Sequence, residues 1–363
     1  MLRIFAVLIL FLPGLVRADI VRTSAGPVEV VPVIEGLDIP WSVAFLPDGS
    51  FLITERDGVL LIADPVSGEK QSIEGVPEVR ASGQGGLLDV VLDPAFESNR
   101  TIYLSYSEPV GMISARTAVM RAELKGARLV NQQVIFQQTP DSRGGRHFGS
   151  RIVPDDAGNL FVTTGDRGDA GDAQGLNNQI GKVVRIRTDG AMSEGNPFPR
   201  NPSVWSIGHR NPQGAALDEL GRLWTVSHGA RGGDEINRPE AGKNYGWPVI
   251  SYGTTYGGTR IGEGTEKAGM EQPVFYWDPS IAPSGMMIYS GKLWPEWAGD
   301  IFVGSLKFDF LSRLDRNGDT ISSEERLFSD KYIRIRDVRE GPKGAIWFLA
   351  AGDGALYRVT PAE

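Results

Sequence analysis

The hydrophobic and polar positions of this chain repeat in a unit that favours short β-strands. In each copy a strand of alternating or β-branched character enters a polar turn with Asp or Gly, and a second short strand follows. Almost no segment shows the 3.6-residue apolar period of a helix. Four clear copies and then two looser ones occur, at residues 43–54, 151–164, 214–226, 338–349, 88–105 and 286–303. The pattern therefore predicts an all-β protein of six repeats.

Six units after residue 18 leave about 57 residues for each, enough for a four-stranded blade with long loops. Radial repetition also protects the sheet edges of so large a β protein. We predict a six-bladed β-propeller of four-stranded antiparallel blades, as a single domain over residues 19–363. A first strand at residues 28–33 is expected to join the last strand near residues 356–359 and close the ring. A β-sandwich array and a β-helix are the alternatives.

Residues 1–18 differ from the rest of the chain and predict a signal peptide. Arg3 precedes an unbroken apolar run at residues 4–12, and small residues stand at positions 16 and 18, before a cleavage site. The run is shorter than the about 20 apolar residues that span a bilayer. A short membrane anchor is the alternative. We expect cleavage near Ala18 and a periplasmic or secreted protein without a membrane span.

Composition narrows the function classes. The chain has no cysteine, which excludes disulfides and thiolate chemistry. Its formal charge of −8 argues against a nucleic-acid partner, whose phosphates bind basic surfaces. The 46 glycines and 23 prolines are spread along the chain, as is typical of many turns between short strands. Candidate chemistry is therefore sought in the loops.

Glycine-rich segments, rather than predicted strands, carry all three histidines: His147, His209 and His228. The loop around His147 is rich in glycine and arginine, which suits an anionic ligand, and a histidine there exchanges a proton at neutral pH. A histidine that caps a turn is the alternative. Arg210, Asn211 and Gln213 offer donors to carbonyl or carboxylate oxygens. A polar turn before a strand explains them equally well.

Two further groups of charged residues stand out. Asp234 and Glu235 lie in a glycine-rich segment, which suits the carboxylate and carbonyl oxygens that calcium prefers, although the spacing is not that of an EF-hand. Residues 315–319 begin like such a loop, but Thr320 stands where the loop needs glycine and Arg326 where it needs the distal glutamate, so the segment is interpreted as a hairpin turn. Three cations follow late in the chain: Lys307, Arg334 and Arg336. Two interpretations of these cations remain: they belong to the solvated surface, or they are buried opposite a polyanion.

Seven loop motifs together carry a family resemblance. They are residues 83–88, 147–151, 208–214, 232–237, 244–248, 305–307 and 334–338. With these motifs in this order, the chain resembles the soluble PQQ-dependent aldose sugar dehydrogenases, relatives of soluble quinoprotein glucose dehydrogenase. The resemblance implies pyrroloquinoline quinone (PQQ) and calcium as cofactors. It also implies oxidation of the C1 hydroxyl of aldose sugars to the lactone, with hydride transfer to the quinone. The electrons would pass to an external acceptor, a quinone or a cytochrome, and we expect a monomer or weak dimer.

The resemblance also implies roles for individual residues. His147 resembles the general base, and the polar groups near it and the substrate would be Gln84 and Asp234. The quinone oxygens, where negative charge develops, would be contacted by Arg210 and Asn211. Further contacts to the cofactor, including those to its carboxylates, would come from Gln84, Gln213, Tyr256, Lys307, Arg334 and Arg336. One calcium would be bound by the carbonyls of Gly229 and Ala230, and a second, structural calcium by Glu235 and the carbonyl of Tyr245.

Two departures from the family pattern concern sugar preference more than cofactor use. Ser150 stands where the family usually has a second glycine, and we expect it to narrow the approach to the ring. Residues 349–353, with Ala350 and Ala351, replace a Leu-Thr-Asp pattern, so a contact to cofactor or substrate is expected to be lost there. The alternatives to a dehydrogenase are a calcium-dependent propeller lactonase and a non-catalytic propeller that binds partners or glycans.

Overall fold

The computed structural model of the protein describes residues 18–362, and nearly all of its regular structure is β-strand. The predicted signal peptide lies outside this range, apart from its last residue. No helix within residues 18–362 is long and apolar enough to cross a membrane. The elements are one helix, α1 (Phe96–Asn99), two 3-10 turns (Ala170–Gln174 and Pro295–Trp297), and the strands β1 (Asp19–Thr23), β2 (Gly26–Ile34), β3 (Pro40–Phe45), β4 (Phe51–Glu55), β5 (Val59–Ala63), β6 (Lys70–Ser72), β7 (Leu87–Leu92), β8 (Thr101–Val110), β9 (Ser114–Leu124), β10 (Leu129–Gln137), β11 (Ser142–Arg143), β12 (Gly149–Pro154), β13 (Asn159–Thr164), β14 (Lys182–Arg187), β15 (Val204–Ile207), β16 (Pro212–Leu217), β17 (Leu223–Ser227), β18 (Asp234–Asn237), β19 (Phe275–Trp277), β20 (Pro283–Ile288), β21 (Ile301–Ser305), β22 (Leu311–Asn317), β23 (Thr320–Leu327), β24 (Ile335–Glu340), β25 (Ile346–Ala350) and β26 (Ala355–Pro361).

The strands form six antiparallel sheets, and each sheet is one blade. The blades that contain β3–β6, β12–β15, β16–β19 and β20–β23 have four strands in chain order, and β11 adds a short pairing with β9 to the blade of β7–β10. The first strands of the blades surround the channel, because they contact one another in the cyclic order β3, β7, β12, β16, β20 and β24. The prediction of a six-bladed β-propeller is confirmed.

The two ends of the described chain share one blade. β2 lies between β1 and β26, so that the last blade has five strands in the order β1-β2-β26-β25-β24. Val30 pairs with Val359 in this register. The predicted pairing of residues 28–33 with the last strand is therefore confirmed. The ring is closed by hydrogen bonds between segments more than 300 residues apart.

The polar turns of the repeat unit are tight hairpin connections. Between β3 and β4, the Leu46 nitrogen donates to the Ser50 carbonyl over 2.9 Å, and Gly49 adopts a φ of 91°, which favours glycine. Oδ1 of Asp48 accepts from the Ser50 nitrogen at 3.0 Å, as acidic turn residues commonly do. Residues 315–319 also form a hairpin, in which Asn317 pairs with Thr320 between β22 and β23. This confirms the interpretation of that segment.

Apolar side chains fill the space between neighbouring blades. One cluster joins Tyr103 and Val119 of the second blade to Ile152, Leu160 and Val184 of the third. Equivalent clusters lie at the other five blade boundaries. Each fully buried side chain of this kind contributes about 1.5–3 kcal/mol. The packing between blades therefore gives the loops at the channel mouth a rigid support.

A cluster of four charges lies across the channel. Nη1 of Arg151 lies 2.9 Å from Oδ1 of Asp89, and its Nη2 lies 3.1 Å from Oδ1 of Asp337. Arg339 contacts the same two carboxylates at 2.8 and 3.0 Å. A Cβ at Gly285 would lie 2.4 Å from Oδ1 of Asp337, so the neighbouring blade needs glycine there. Arg151, Asp89 and Asp337 are almost fully buried, and they form a floor across the channel.

Candidate active site

Loops from several blades meet above this floor. The His147 nitrogen, before β12, donates to Oε1 of Gln84, before β7, over 2.7 Å. Oδ1 of Asn211, before β16, accepts from the Gly149 nitrogen at 3.0 Å. Nη1 of Arg336, in β24, donates to Oε1 of Gln213 over 2.9 Å. The fold therefore gathers residues that are far apart in the sequence around one cavity mouth.

The imidazole of His147 is held by a buried carboxylate. Its Nδ1 lies 2.5 Å from Oδ1 of Asp166, in the loop that follows β13. The His147 side chain is 12% exposed and that of Asp166 only 2%. Asp166 also accepts from the Gly168 nitrogen and from Nε1 of Trp247, each over 2.8 Å. Both oxygens of this carboxylate are therefore engaged, and the imidazole has a fixed orientation.

The charges of this pair follow from its surroundings. Burial lowers the pKa of His147 below its usual 6.5; the hydrogen bond with Asp166 opposes this shift, and the charge of Arg210 adds to it. Burial raises the pKa of Asp166, but the hydrogen bond and charge of His147 outweigh burial, so that the pKa lies below 3.8. At neutral pH an ionised Asp166 accepts the proton on Nδ1. Nε2 is then unprotonated and can act as a base.

Asp234, which was expected near His147, binds a different set of groups. Its Oδ1 accepts from the Gly229 nitrogen at 2.7 Å and from Oγ of Ser280 at 2.9 Å, while Oδ2 accepts from the Ile281 nitrogen at 2.7 Å. Asp234 is fully buried. Its hydrogen bonds join the loop of Gly229 to the segment of Ser280 and Ile281, so this carboxylate holds two loops together. The carboxylate that contacts the histidine is Asp166, not Asp234.

Two buried donors at the mouth lack protein acceptors. Arg210 and Asn211 are 7% and 0% exposed. Among the described residues, Nε of Arg210 and Nδ2 of Asn211 have no hydrogen-bond partner. The guanidinium of Arg210 lies 5.2 Å from the Trp247 ring centre, and its Nη1 donates to the His228 carbonyl over 3.3 Å. Because buried donors are normally paired, this pair suits the oxygen atoms of a bound ligand.

Of the three late cations, Lys307 and Arg334 are exposed and Arg336 is half-buried. Nη1 of Arg334 donates to the carbonyl of Leu306, next to Lys307, over 3.3 Å. Within residues 18–362, Lys307, Arg334 and Arg336 form no ion pair with a carboxylate. Burial, with the charges of Arg334 and Arg151, lowers the pKa of Arg336 to about 9. An anionic ligand would relieve this repulsion, so burial opposite a polyanion is favoured over solvated surface for Arg336.

The remaining predicted cofactor contacts differ in their placement. Gln84 and Gln213 form hydrogen bonds with other residues of the site. Gln84 accepts from the His147 nitrogen. Gln213 accepts from Arg336 and lies 3.3 Å from Nε2 of His228. Tyr256 is 75% exposed, on a loop whose Thr254 pairs with Arg231. It therefore lies at the surface above the loop of Gly229, with no described hydrogen bond to the other site residues.

The expected calcium ligands fall in two places. Gly229 and Ala230 belong to a tight loop, in which a Cβ on Gly229 would meet the Gly232 carbonyl at 2.2 Å. Glu235 accepts from Nδ2 of Asn237 at 3.1 Å, and both side chains line a small polar cavity of about 10 Å³, large enough for a single small ligand atom or ion. Burial raises the pKa of Glu235 to about 7. Oδ1 of Asn237 is buried without a partner among the described residues, so the two side chains suit a cation.

Tyr245 is outside the residues that line this cavity. Its ring stacks on buried His209, with ring centres 4.9 Å apart, and its hydroxyl donates to the Arg238 carbonyl over 2.5 Å. No group of three or more His, Cys, Asp or Glu side chains within residues 18–362 is arranged to hold a metal. A calcium ion here would depend on Glu235, Asn237 and main-chain carbonyls.

Comparison with known proteins decides the family. The model of the glucose/sorbosone dehydrogenase family matches residues 37–358. The aldose sugar dehydrogenase YliI of Escherichia coli (strain K12) is 42% identical over 345 residues, which are 92% of this chain and 93% of that protein. The apo-form crystal structure of the soluble aldose sugar dehydrogenase from Escherichia coli is 41% identical. It aligns with a TM-score of 0.89 over 92% of this chain and 100% of that one. The PQQ-bound aldose sugar dehydrogenase of Streptomyces coelicolor is 27% identical and aligns with a TM-score of 0.77 over 96% and 99%.

The chain belongs to the glucose/sorbosone dehydrogenase family. The resemblance seen in the seven loop motifs is therefore confirmed, and the protein is a quinoprotein-type oxidoreductase. The lactonase and the non-catalytic propeller are not supported by any of these relatives. The sequence motifs included Trp247 but did not assign it a role, and they missed Asp166. An acidic residue directly after the second strand of a blade, in Gly165-Asp166, was the available signal.

In this dehydrogenase, Ser150 and residues 349–353 contact the main chain next to site residues. Ser150 is buried at a φ of 86°, where a side chain is strained, and its Oγ donates to the Phe148 carbonyl over 3.2 Å. The nitrogen of Ala351 donates to the Arg334 carbonyl over 2.9 Å. Oδ1 of Asp353 accepts from the Ile333 nitrogen at 3.2 Å. The altered segment therefore supports the loop of Arg334 through main-chain contacts.

Proposed function

We propose that this dehydrogenase oxidises the C1 hydroxyl of aldose sugars to the lactone, with PQQ and calcium as cofactors. The observation that carries the proposal is the contact between Nδ1 of His147 and Asp166, because it leaves Nε2 as a base at the mouth of the channel. The sugar hydroxyl gives its proton to Nε2, and the C1 hydrogen leaves as hydride. PQQ, when bound, supplies the two-electron acceptor for that hydride.

Arg210 and Asn211 stabilise negative charge in this scheme. Their buried nitrogen atoms without protein partners suit the ortho-quinone oxygens of PQQ. Preorganised donors in a water-poor site are the strongest single contribution to many enzymatic rates. Gln84 assists by fixing the main chain of His147. Trp247 and Asp166 keep the imidazole in the productive orientation.

The cations and the oxygen-rich loops bind the cofactors. Lys307, Arg334 and Arg336 would hold the carboxylates of PQQ through charge-assisted hydrogen bonds, with Gln213 beside them. The carbonyls of Gly229 and Ala230 would bind the calcium near the quinone, and Glu235 a structural calcium. Tyr256 would cover the cofactor from its exposed loop. In this proposal Asp234 acts indirectly, because it folds the loop of Gly229.

The reduced enzyme passes its electrons to an external acceptor, a quinone or a cytochrome. We further propose export by cleavage near Ala18, so that a protein of residues 19–363 works in the periplasm or outside the cell as a monomer or weak dimer. The apolar run at residues 4–12 supports export. Mass spectrometry of the protein from an exporting host would test it, since a retained residue 1 contradicts cleavage.

Reconstitution tests the reaction. Protein stripped with a chelator is given PQQ and calcium, singly and together, and dye reduction is followed with glucose and maltose. We expect turnover only with both additions and a sugar. His147→Ala should still bind PQQ, as its absorption spectrum would show, and lose nearly all turnover. Wild-type turnover of this variant would remove His147 from its role.

Other outcomes of the same assay would replace the proposal. Hydrolysis of a lactone without PQQ would indicate the propeller lactonase. Sugar or protein binding without any turnover would indicate the non-catalytic propeller. The matched control is Lys343→Ala, an exposed lysine in the turn between β24 and β25, which should behave as the wild type in every arm.

A further inference from the structure

Lys182 is a fully buried lysine whose ammonium group is surrounded by oxygen atoms. It is the first residue of β14 and is 0% exposed. Its Nζ lies 2.8 Å from the Asp172 carbonyl, 3.0 Å from that of Ala173 and 2.5 Å from that of Ile180. Oδ1 of Asn178 is 3.3 Å away. Four oxygens of one short stretch of chain therefore converge on one nitrogen.

No carboxylate pairs with this ammonium within residues 18–362. Burial lowers the pKa of Lys182 to about 7, and the exposed Asp172 opposes the shift. An ammonium has three hydrogens to donate, whereas four oxygens face it. Three main-chain carbonyls and one side-chain oxygen form a ligand set like those with which proteins replace the hydration shell of a monovalent cation. The lysine occupies the place of such an ion.

We propose that Lys182 is a built-in monovalent cation that positions Asp166, and through it His147. The effect of Lys182 on turnover rests on the proposed function. The binding of a cation by the four oxygens of Asp172, Ala173, Asn178 and Ile180, called the oxygen cage below, does not. Lys182 is a positioning residue in this proposal, because it acts on the reaction only through the loop that it folds.

The cage is linked to Asp166 by consecutive turns. The Asp169 nitrogen donates to the Asp166 carbonyl over 2.8 Å, and the Asp172 nitrogen to the Asp169 carbonyl over 2.9 Å. The Asp172 carbonyl, at the end of this series, is one of the four oxygens. The 3-10 turn that contains it is too short to be stable alone. Its position relative to Asp166 therefore depends on the ammonium.

A second link leads to Arg210. The Gly208 nitrogen donates to the Ala173 carbonyl over 2.9 Å, so that this oxygen is shared with the ammonium. Two residues later the Arg210 carbonyl accepts from the Asp166 nitrogen at 2.7 Å. Lys182 is therefore linked, through carbonyl groups that it binds, to the loop after β13, which carries Asp166, and to the loop before β16, which carries Arg210 and Asn211.

Two substitutions distinguish the effect of a cation in the oxygen cage from the effect of the lysine side chain that fills it. Lys182→Ala removes the ammonium and its chain and leaves an oxygen-lined space, which a small cation can enter. Lys182→Met removes the charge and the three N–H donors and fills much of the same space with an apolar chain. Lys125→Ala, in the exposed turn between β9 and β10, is the control. Each variant is equilibrated in ammonium chloride, potassium chloride or tetramethylammonium chloride at equal ionic strength.

The first readout is thermal unfolding without PQQ, so it does not depend on the proposed function. We expect a lower melting temperature for both variants and recovery of several degrees in ammonium or potassium for Lys182→Ala alone. Tetramethylammonium, which is too large, should give none. If no cation raises the melting temperature of Lys182→Ala, or if this variant stays insoluble in ammonium, the cage proposal is wrong.

The second readout is turnover of the reconstituted enzyme. A displacement of about 1 Å in a catalytic group can cost about 100-fold in rate, so we expect kcat to fall about tenfold or more in both variants. KM should change little. Ammonium should restore kcat in Lys182→Ala and not in Lys182→Met. Wild-type kcat in Lys182→Met would refute the positioning role, while lack of turnover in the wild type would refute the proposed function and leave the unfolding result intact.

Discussion

Nδ1 of His147 lies 2.5 Å from Oδ1 of Asp166, and this contact fixes which nitrogen of the ring faces the channel mouth. Asp166→Asn keeps the shape but offers an amide that can donate to Nδ1, which would place the proton on Nε2. We expect kcat to fall by about 1,000-fold or more, as in other histidines deprived of an acidic partner. PQQ affinity, measured by absorption titration, should stay near wild type. An equal loss in Trp247→Phe would show that orientation, not the tautomer, is decisive.

The same pair sets the acid limit of the enzyme. His147 must be neutral to accept a proton, so activity is lost as pH falls through its pKa, which lies below 6.5 because of burial and of Arg210. We expect the acid midpoint of a kcat/KM profile to lie below pH 6.5. Arg210→Gln removes a positive neighbour and should move this midpoint to higher pH. A wild-type midpoint above 6.5 would contradict the assignment of His147 as the titrating base.

The three cations should govern cofactor affinity rather than the chemical step. Hydrogen bonds to charged groups contribute about 1.5–3 kcal/mol each, which is a factor of about 10 to 150 in affinity. Lys307→Ala and Arg336→Ala should each raise the Kd for PQQ by this factor in a titration. At saturating PQQ their kcat should be close to wild type. An unchanged Kd in both variants would contradict a carboxylate contact.

Substitution of Ser150 shows whether its strained conformation is offset by a contact that stabilises the fold. A non-glycine residue in the left-handed region costs about 1–2 kcal/mol, and Ser150 has a φ of 86°. Glycine regains part of this free energy, although it adds entropy to the unfolded chain. Ser150→Gly should therefore unfold at the wild-type denaturant concentration or slightly above it, whereas Ser150→Val should unfold earlier. A stability loss of more than about 1 kcal/mol in Ser150→Gly would mean that the contact of Oγ with Phe148 is decisive.

The repeat in the sequence was enough to predict six blades and the closing strand, because turn residues and strand alternation are local signals. His147 was singled out because its glycine-rich loop marks a place where the backbone approaches a ligand, whereas the roles of Arg210 and Asn211 came from the family resemblance. Trp247 was missed because its partner Asp166 lies 81 residues away, a contact that only the closed ring creates. The role of Asp234 in joining loops was not predicted, because a carboxylate in a glycine-rich loop can serve loop folding as well as chemistry.

The charges of the channel floor were missed for a different reason. Asp89 and Asp337 occur within strands, where alternation distinguishes two faces of a sheet but not the channel from the outer solvent. Lys182 was overlooked likewise, since its cage consists mostly of main-chain oxygens that carry no side-chain signature.

The ion pairs of Arg151, Asp89, Asp337 and Arg339 lie across the channel, so we expect them to prevent ligands from passing through it. If the protein has the proposed function, sugar, lactone and oxidant would then share one entrance, and the lactone would have to depart before an oxidant reaches the reduced cofactor. Two half-reactions that alternate in this way give parallel lines in double-reciprocal plots of rate against sugar at several oxidant concentrations. Intersecting lines would mean that sugar and oxidant occupy the entrance together.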